Sequence, residues 1–254
     1  MTTIHKAQFR DTPSNFKALS ASEIAEINRN ASASPYLPRQ ETGTRPSCAI
    51  PYELYVEGAL SKDKKTFEIS LHAGNKVFGE KSAGAPFIIY AINPYQGEEL
   101  RVWNYAVKAG DTLRQTWNVP DFEGGKYHLS VYGPNGFFRE FAGDGQDPDV
   151  VVSSAYAGDK GGKLKGDLQF RISNNGTKPI AVAIIDNAYG EKPLNLKIPA
   201  GGQSSGLVRL DKSHNWYDVS LQIDRSATIK RYAGHVETGR ESITDPLMGK
   251  GNKI

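Results

Sequence analysis

Hydrophobic and polar residues alternate over short stretches of this chain, and turn residues separate the stretches. The stretch from Thr66 to His72 shows this most clearly, since Phe67, Ile69 and Leu71 fall on one face. The pattern predicts strands at 52–56, 66–72, 87–92, 100–107, 111–117, 126–132 and 137–141, and again at 150–154, 164–173, 180–185, 194–198, 205–210, 217–223 and 228–232. Short strands at this spacing, with Gly, Asn and Pro between them and no helical period, indicate antiparallel β-sandwiches.

The second half of the chain repeats the first. Tyr127-His-Leu-Ser-Val-Tyr leads into Phe141-Ala-Gly, and about ninety positions later Tyr217-Asp-Val-Ser-Leu-Gln leads into Tyr232-Ala-Gly. Two further pairs follow the same order, Pro86-Phe-Ile-Ile with Pro179-Ile-Ala-Val and Val107-Lys-Ala-Gly with Ile198-Pro-Ala-Gly. The repeat predicts an all-β chain of two tandem antiparallel β-sandwich domains, residues 47–148 and 149–246. A duplicated module of this size favours a supporting or binding role over a single catalytic centre.

Residues 1–46 differ from the rest and are predicted to be a leader or linker with one short helix. The helix is expected from Leu19 to Asn30, with Ser20 or Ser22 as its cap and Glu23 as the capping-box partner of Ser20. Beyond it, prolines enforce an extended chain; they are Pro35, Pro38 and Pro46. Residues 247–254 are expected to form a tail.

The alternation also predicts which side chains form the core. The expected inward-pointing residues are Phe87, Ile89, Trp117, Leu129, Val131, Val182, Ile184, Val219 and Leu221. Gly133-Pro-Asn-Gly is a strong hairpin-turn signal, because proline sets its own φ and Asn-Gly tolerates positive φ. The repeat equates Phe138 with Ile229 and Phe141 with Tyr232, so these four are further core candidates.

The composition narrows the function classes. The chain has 254 residues, 38% hydrophobic and 23% charged, with 31 basic and 28 acidic side chains and a net charge of +3. This balance is too even to predict a nucleic-acid partner. Cys48 is the one cysteine, so it has no internal disulfide partner, and we expect it to be a small filler near a strand. The chain has neither an apolar run of membrane-spanning length nor a signal-peptide pattern at its start, so no export signal is expected in it.

Carboxylates and histidines give weak metal candidates. Asp144, Asp147 and Asp149 lie close together in the connector between the halves, where calcium could take oxygen ligands. Their spacing does not match the EF-hand pattern, and a solvated connector is the favoured reading. None of the histidines is paired at a metal-ligand spacing; they are His5, His72, His128, His214 and His235. We therefore expect no metal and no cofactor.

The closing segment after Gly234 is unusually polar for the end of a chain. Its ionisable residues include Glu237, Arg240 and Asp245, which could form ion pairs. We expect these residues to latch the end of the chain onto its own sandwich or onto a neighbour. A ligand site is the less favoured alternative.

Several of these motifs resemble one known family. They are Thr44-Arg-Pro-Ser-Cys-Ala-Ile-Pro-Tyr-Glu-Leu, Tyr132-Gly-Pro-Asn-Gly-Phe-Phe-Arg, Phe141-Ala-Gly-Asp, Tyr232-Ala-Gly-His-Val-Glu-Thr-Gly-Arg and Ser242-Ile-Thr-Asp-Pro. Together they resemble the C-terminal region of bacterial phosphocholine-specific phospholipases C, of the haemolytic and non-haemolytic types. The resemblance covers residues 44–249 and implies two tandem copies of one β domain. It also implies that the leader is a link from a catalytic domain.

The resemblance places the chemistry of the family outside these residues. The family's catalytic domain resembles alkaline-phosphatase-type hydrolases, and its nucleophile and metal-binding Asp and His residues have no counterpart in this sequence. No catalytic residue is therefore carried over. Cleavage of phosphatidylcholine to diacylglycerol and phosphocholine is implied for a parent enzyme, which is expected to be exported to the periplasm or secreted.

The leading hypothesis is a non-catalytic C-terminal accessory module of such a phospholipase C. Its expected partner is the alkaline-phosphatase-like catalytic domain, with phosphatidylcholine membranes as a second candidate. Tyr132, Phe137 and Arg139 are the predicted interface residues, since two of them are aromatic and all lie at or beside a hairpin tip. One alternative is a stand-alone structural or protein-binding β-sandwich protein. An enzyme in its own right is the least favoured, because no nucleophile and base pair emerges.

Overall fold

The computed structural model describes residues 18–34, 43–159 and 163–248. The chain divides into two compact units, Met1–Glu41 and Thr42–Ile254. The predictions that concern His5, Pro35, Pro38 and the end of the tail lie outside the described residues.

The predicted helix is present in the first unit. Helix α1 spans Ala21–Arg29, and Ser20 is its N-cap. The Glu23 amide donates to Ser20 Oγ at 3.3 Å, and the Ser20 amide donates to Glu23 Oε2 at 2.8 Å. This reciprocal capping box satisfies two amides that the helix itself leaves unpaired. A short 3₁₀ turn, Ala31–Ala33, follows.

The second unit is built from strands, which confirms the all-β, antiparallel fold class. The first half contains β1 Pro46–Ser47, β2 Leu54–Leu60, β3 Thr66–Ala73, β4 Ala85–Ala91, β5 Val102–Val107, β6 Thr112–Asn118, β7 Lys126–Tyr132 and β8 Phe138–Asp144. The second half contains β9 Val150–Gly158, β10 Leu164–Asn174, β11 Ile180–Asp186, β12 Leu194–Ile198, β13 Gln203–Val208, β14 Trp216–Ile223, β15 Ile229–His235 and β16 Ser242–Ile243. Every predicted strand is present, with ends shifted by a few residues, whereas β1 and β16 were not predicted.

Each half packs a three-stranded sheet against a four-stranded one. The small sheets have the orders β2-β3-β6 and β13-β10-β9. The two four-stranded sheets join edge to edge into one eight-stranded sheet of order β12-β11-β14-β15-β8-β7-β4-β5. We call the β8–β15 junction the seam. Because the seam makes one sheet of both halves, residues 42–254 form a single compact unit rather than two separate bodies. The predicted boundary at residues 148 and 149 stays a prediction.

The core lies between the small sheets and the long sheet. All nine residues predicted to point inward are buried, and so are Phe141 and Tyr232. The hairpin turn is also as predicted, since Asn135 and Gly136 both have positive φ.

Three predictions of burial were wrong. Ile229 is 42% exposed, and Phe138 is only partly buried, because both side chains point away from the core. The repeat alignment equates these two positions correctly, but it does not say which face of the strand is covered. Cys48 is exposed just after β1 instead of filling a space near a strand.

Candidate functional site at the seam of the two repeats

The two halves meet along β8 and β15 with local two-fold pseudosymmetry. Glu140 pairs with Arg231 at the centre of the junction. On either side, Arg139 pairs with Tyr232 and Lys230 pairs with Phe141. The repeat equates Phe141 with Tyr232, and therefore Arg139 with Lys230. Each half thus contributes one cation and one aromatic ring to the interior beneath the seam.

Arg139 extends from the first half into the second. Its side chain is fully buried, and its Nη1 donates to the carbonyl oxygens of Phe138 at 2.8 Å and Ala233 at 3.0 Å. Its Nη2 donates to the Tyr217 hydroxyl at 3.0 Å. The guanidinium carbon also lies 4.0 Å from the ring centroid of Phe137 and 4.8 Å from that of Tyr232. These contacts compensate for part of the cost of removing the cation from water.

Lys230 extends from the second half into the first. Its Nζ donates to the Gly58 carbonyl of β2 at 2.8 Å and lies 5.4 Å from the ring centroid of Phe141. Burial lowers the pKa of Lys230 from 10.5 to about 8, although the charges of Glu57 and Asp147 oppose the shift. A side chain at Gly58 would overlap the rings of Phe67 and Phe141, with a Cβ only 2.7 Å from Phe67, so glycine is needed there.

Glu57 supplies the counter-charge where the two small sheets approach each other. Its Oε1 accepts hydrogen bonds from the amide and hydroxyl of Ser154 in β9, at 2.6 and 2.9 Å. Burial raises the pKa of Glu57, and the bonds from Ser154 and the charges of Arg139 and Lys230 act in the opposite direction. One acid and two cations therefore connect the halves beneath the seam.

The outer face of the long sheet, which points away from the small sheets, carries a row of paired charged and polar side chains, which we call the charge row. His128 Nε2 lies 2.8 Å from Glu140 Oε1. Arg231 Nε and Nη2 donate to the two carboxylate oxygens of Asp218 at 2.8 and 2.6 Å, and the Asn187 amide donates to the same group at 2.9 Å. Burial alone would raise the pKa of Asp218, but the bonds from Arg231 and Asn187 bring it below its usual value.

An aromatic cluster lies beside this charge row on the outer face. The ring centroids of Tyr90 and Tyr132 are 5.6 Å apart, and those of Tyr132 and Phe138 are 5.0 Å apart. The guanidinium carbon of Arg231 lies 5.5 Å from the centroid of Phe138. Since Tyr132 is 46% exposed, this cluster presents aromatic surface to the surroundings of the sheet.

The closing segment forms a small ribbon at one end of the outer face. Strand β16 pairs with β1, so that Ile243 is opposite Pro46. Two outer-face side chains hold this ribbon, because Trp216 Nε1 donates to the Ile243 carbonyl at 3.0 Å and His235 Nε2 lies 3.1 Å from Ser242 Oγ. We call the β1–β16 pair the closing ribbon.

The polar tail contacts its own sandwich, but through other pairs than the predicted ones. Glu237 Oε1 lies 2.9 Å from His235 Nδ1 and accepts a hydrogen bond from Asn135 at 3.0 Å. Asp245 accepts a hydrogen bond from the Tyr189 hydroxyl at 3.0 Å. Arg240 is exposed. The tail is therefore held to its sandwich by contacts with Asn135, Tyr189 and His235 instead of the predicted ion pairs.

The structure separates the three predicted interface residues. Tyr132 is exposed in the aromatic cluster, and its interface role stays a prediction. Phe137 is 4% exposed, and its ring centroid lies 6.0 Å from that of Phe87. Arg139 is fully buried at the seam. Neither of these two can contact a membrane or a partner without opening the fold, and both instead bind the halves together.

The connector carboxylates are engaged in hydrogen bonds within the chain. Asp147 is buried and accepts hydrogen bonds from the Tyr127 hydroxyl and the Asp144 amide. Asp149 accepts one from Asn175. Among the described residues, no group of three or more His, Cys, Asp or Glu side chains is arranged to hold a metal ion.

The described part of the chain contains no helix that is long and apolar enough to cross a membrane.

Of the described histidines, His72 Nδ1 lies 2.9 Å from the Asp111 carbonyl oxygen, and His214 accepts a hydrogen bond from Ser242 through its own carbonyl.

Comparison with known proteins identifies relatives of both halves. The family model described as "Bacterial phospholipase C, C-terminal domain" matches this chain twice, at residues 46–144 and 148–235. The two matches coincide closely with the two repeats. Each match therefore covers one of the two halves that meet at the seam.

Three curated relatives are bacterial enzymes. The chain is 32% identical over 225 residues to a non-hemolytic phospholipase C of Burkholderia pseudomallei, covering 85% of this chain and 29% of the relative. It is 30% identical over 247 residues to a non-hemolytic phospholipase C of Pseudomonas aeruginosa, covering 92% and 33%. It is 32% identical over 229 residues to the hemolytic phospholipase C of that organism, covering 84% and 30%. The chain thus spans about a third of the length of these relatives.

Proposed function

Because the chain belongs to the family of bacterial phospholipase C C-terminal domains, we propose that it is a non-catalytic accessory module of such an enzyme. In this proposal it packs on a catalytic domain of the alkaline-phosphatase-like type and helps that domain to engage lipid. The match of both repeats to the family is the observation that carries the proposal. The reaction, cleavage of phosphatidylcholine to diacylglycerol and phosphocholine, belongs to the catalytic domain of a parent enzyme exported to the periplasm or secreted.

The hydrogen bonds beneath the seam favour a structural role over a catalytic one. Arg139 and Lys230 are buried beneath the seam, Glu57 is half-buried beside them, and each is hydrogen-bonded within the chain. Charged groups that are engaged in this way hold elements together but are not available to a substrate. In each relative, the part that this chain does not match is about twice as long as the matched part, and the catalytic groups would lie there.

A chimeric enzyme tests this function. This chain would replace the matching C-terminal segment of the Burkholderia pseudomallei non-hemolytic phospholipase C, and phosphocholine release from phosphatidylcholine vesicles would be compared with that of the truncated enzyme. We expect truncation to lower the activity and this chain to restore it. An unrelated β-sandwich of similar length, fused at the same position, is the control and should not restore it.

Two outcomes would contradict the proposal. If the chimera is no more active than the truncated enzyme, the accessory role for this chain is wrong and a stand-alone binding protein becomes the better reading. If the isolated chain releases phosphocholine, the module is not non-catalytic. Lipid engagement is measured separately by co-sedimentation of the isolated chain with phosphatidylcholine vesicles.

A further inference from the structure

We propose that the outer face of the long sheet is the surface on which the catalytic domain docks. This inference rests on the proposed function and adds the location of the contact. The small sheets cover the other face of the long sheet, where the core lies. The outer face includes three strongly exposed hydrophobic residues on three different strands, which are Val102, Tyr132 and Ile229.

The outer face is large enough for a stable interface. Eight strands with a spacing of about 4.8 Å give a width of about 34 Å, and strands of this length extend about 20 Å. The resulting area of about 700 Å² is close to the roughly 800 Å² per partner that a standard protein interface buries.

Two pairs of polar side chains in the middle of this face already contact each other. Arg231 is held by both oxygens of Asp218, and His128 lies against Glu140. A partner domain can therefore cover Arg231 and Asp218 without leaving either charge unpaired, which is the main cost of burying charges in an interface. The adjacent cluster of Tyr90, Tyr132 and Phe138 offers the aromatic surface that is enriched in interface centres.

The closing ribbon holds the start of the second unit's strand region beside the outer face. Arg45 and Pro46 are held to β16 by backbone pairing, and β16 is bound to Trp216 and His235 of the outer face. Phe138 pairs with Ala233, two residues before His235, so the aromatic cluster lies toward the same end of the sheet. Arg45 and Pro46 therefore lie on the outer side of the sheet.

These observations favour a protein partner over a bilayer. Side chains that enter a lipid interface usually project from loop tips or amphipathic helices and are flanked by cations. Here Tyr132 and Phe138 lie on strands of the long sheet, and the aromatic residue at the adjacent tip, Phe137, is buried. Arg231 is neutralised by Asp218.

Hydroxyl-radical footprinting of the chimera described above tests the inference. We expect labelling of Tyr132 and Ile229 to fall several-fold in the chimera relative to the isolated chain. Val151 and Leu207, which are 42% and 44% exposed on β9 and β13, are matched controls and should be labelled equally in both. The variants Tyr132→Lys and Ile229→Lys should weaken restoration of activity, whereas Val151→Lys and Leu207→Lys should not.

The possible outcomes separate this inference from the proposed function. An active chimera in which Tyr132 and Ile229 remain fully labelled overturns the docking face but leaves the accessory role intact. A chimera that is no more active than the truncated enzyme, with no protection anywhere, contradicts both. Protection of Tyr132 in the isolated chain on addition of phosphatidylcholine vesicles, without protection in the chimera, would identify the face as a lipid-binding surface instead.

Discussion

Arg139 and Tyr217 are joined by a buried hydrogen bond of 3.0 Å, although they lie 78 residues apart and belong to different repeats. Lys230 makes the converse connection from the second repeat to Gly58 of the first. The two halves are therefore interlocked by charged groups as well as by β8–β15 pairing. An interlocked pair is expected to unfold as one cooperative unit.

Replacing Arg139 with alanine should destabilise both halves together. The substitution removes three hydrogen bonds and leaves their acceptors unpaired inside the fold, so we expect a loss of about 3–5 kcal/mol in the free energy of unfolding. Urea unfolding followed by tryptophan fluorescence measures this, since Trp103 and Trp117 report on the first half and Trp216 on the second.

Arg171→Ala is the matched control, because Arg171 is exposed on β10 and its loss should change stability by less than about 0.5 kcal/mol. Two separate transitions in the Arg139→Ala variant, with the first half unfolding alone, would show that the seam does not couple the halves.

Stability should rise with pH between 8 and 10.5 because of Lys230. The folded chain releases this proton near pH 8, whereas the unfolded chain keeps it up to 10.5. The unfolded state binds more protons in this window, so the free energy of unfolding increases with pH, by about 3 kcal/mol at most. Below pH 8 both states hold the proton and Lys230 adds no pH dependence.

Buried tyrosines reverse this trend at higher pH. Burial raises the pKa of Tyr127 and Tyr232 well above 10, so the unfolded chain loses these protons first and stability falls above about pH 10. Urea unfolding at pH 7.5, 8.5 and 9.5 isolates the lysine effect. The variant Lys230→Met should remove the increase, and an unchanged increase in that variant would assign it to another group.

Much of the fold follows from local rules. The capping box at Ser20 and Glu23, the turn at Asn135 and Gly136 and the alternation along β3 each depend on neighbouring residues, so the sequence is sufficient to predict them. The seam is different, because pairing of β8 with β15 depends on two edges that are distant in the sequence. No local pattern distinguishes an edge that pairs from one that is exposed to water.

The candidate site was only partly predictable for the same reason. Arg139 beside a hairpin tip has the pattern of a surface residue, and nothing in its neighbourhood signals a partner 78 residues away. One signal was available, since the repeat equates Arg139 with Lys230, and two matching cations among apolar residues point to a shared buried environment. Glu57 had no such signal.

The core of the first half can be tested at Leu129. Its side chain is fully buried in β7, so Leu129→Ala should cost roughly 2–5 kcal/mol through lost burial and the cavity that remains. Equilibrium unfolding in urea measures the change. A loss well below about 1 kcal/mol would mean that β7 presents its other face to the core.

The closing ribbon should loosen when His235 is removed. His235 contacts Glu237, Ser242 and the His214 carbonyl, and its ring lies 4.7 Å from Trp216. His235→Ala should cost about 1–3 kcal/mol and speed amide hydrogen exchange at Thr244, which donates to the Arg45 carbonyl at 2.9 Å.

His128→Ala is the control for this effect, since His128 lies elsewhere on the outer face and should leave exchange at Thr244 unchanged. Equal exchange at Thr244 in the wild-type chain and in His235→Ala would show that the histidine does not hold the ribbon.

The non-catalytic role is tested most directly by an assay of the purified 254-residue chain for phosphocholine release from phosphatidylcholine vesicles, with zinc and calcium supplied in turn. We predict no release above the rate without protein, because in the proposed function the reaction belongs to a separate catalytic domain. Release in proportion to the concentration of the chain would contradict it.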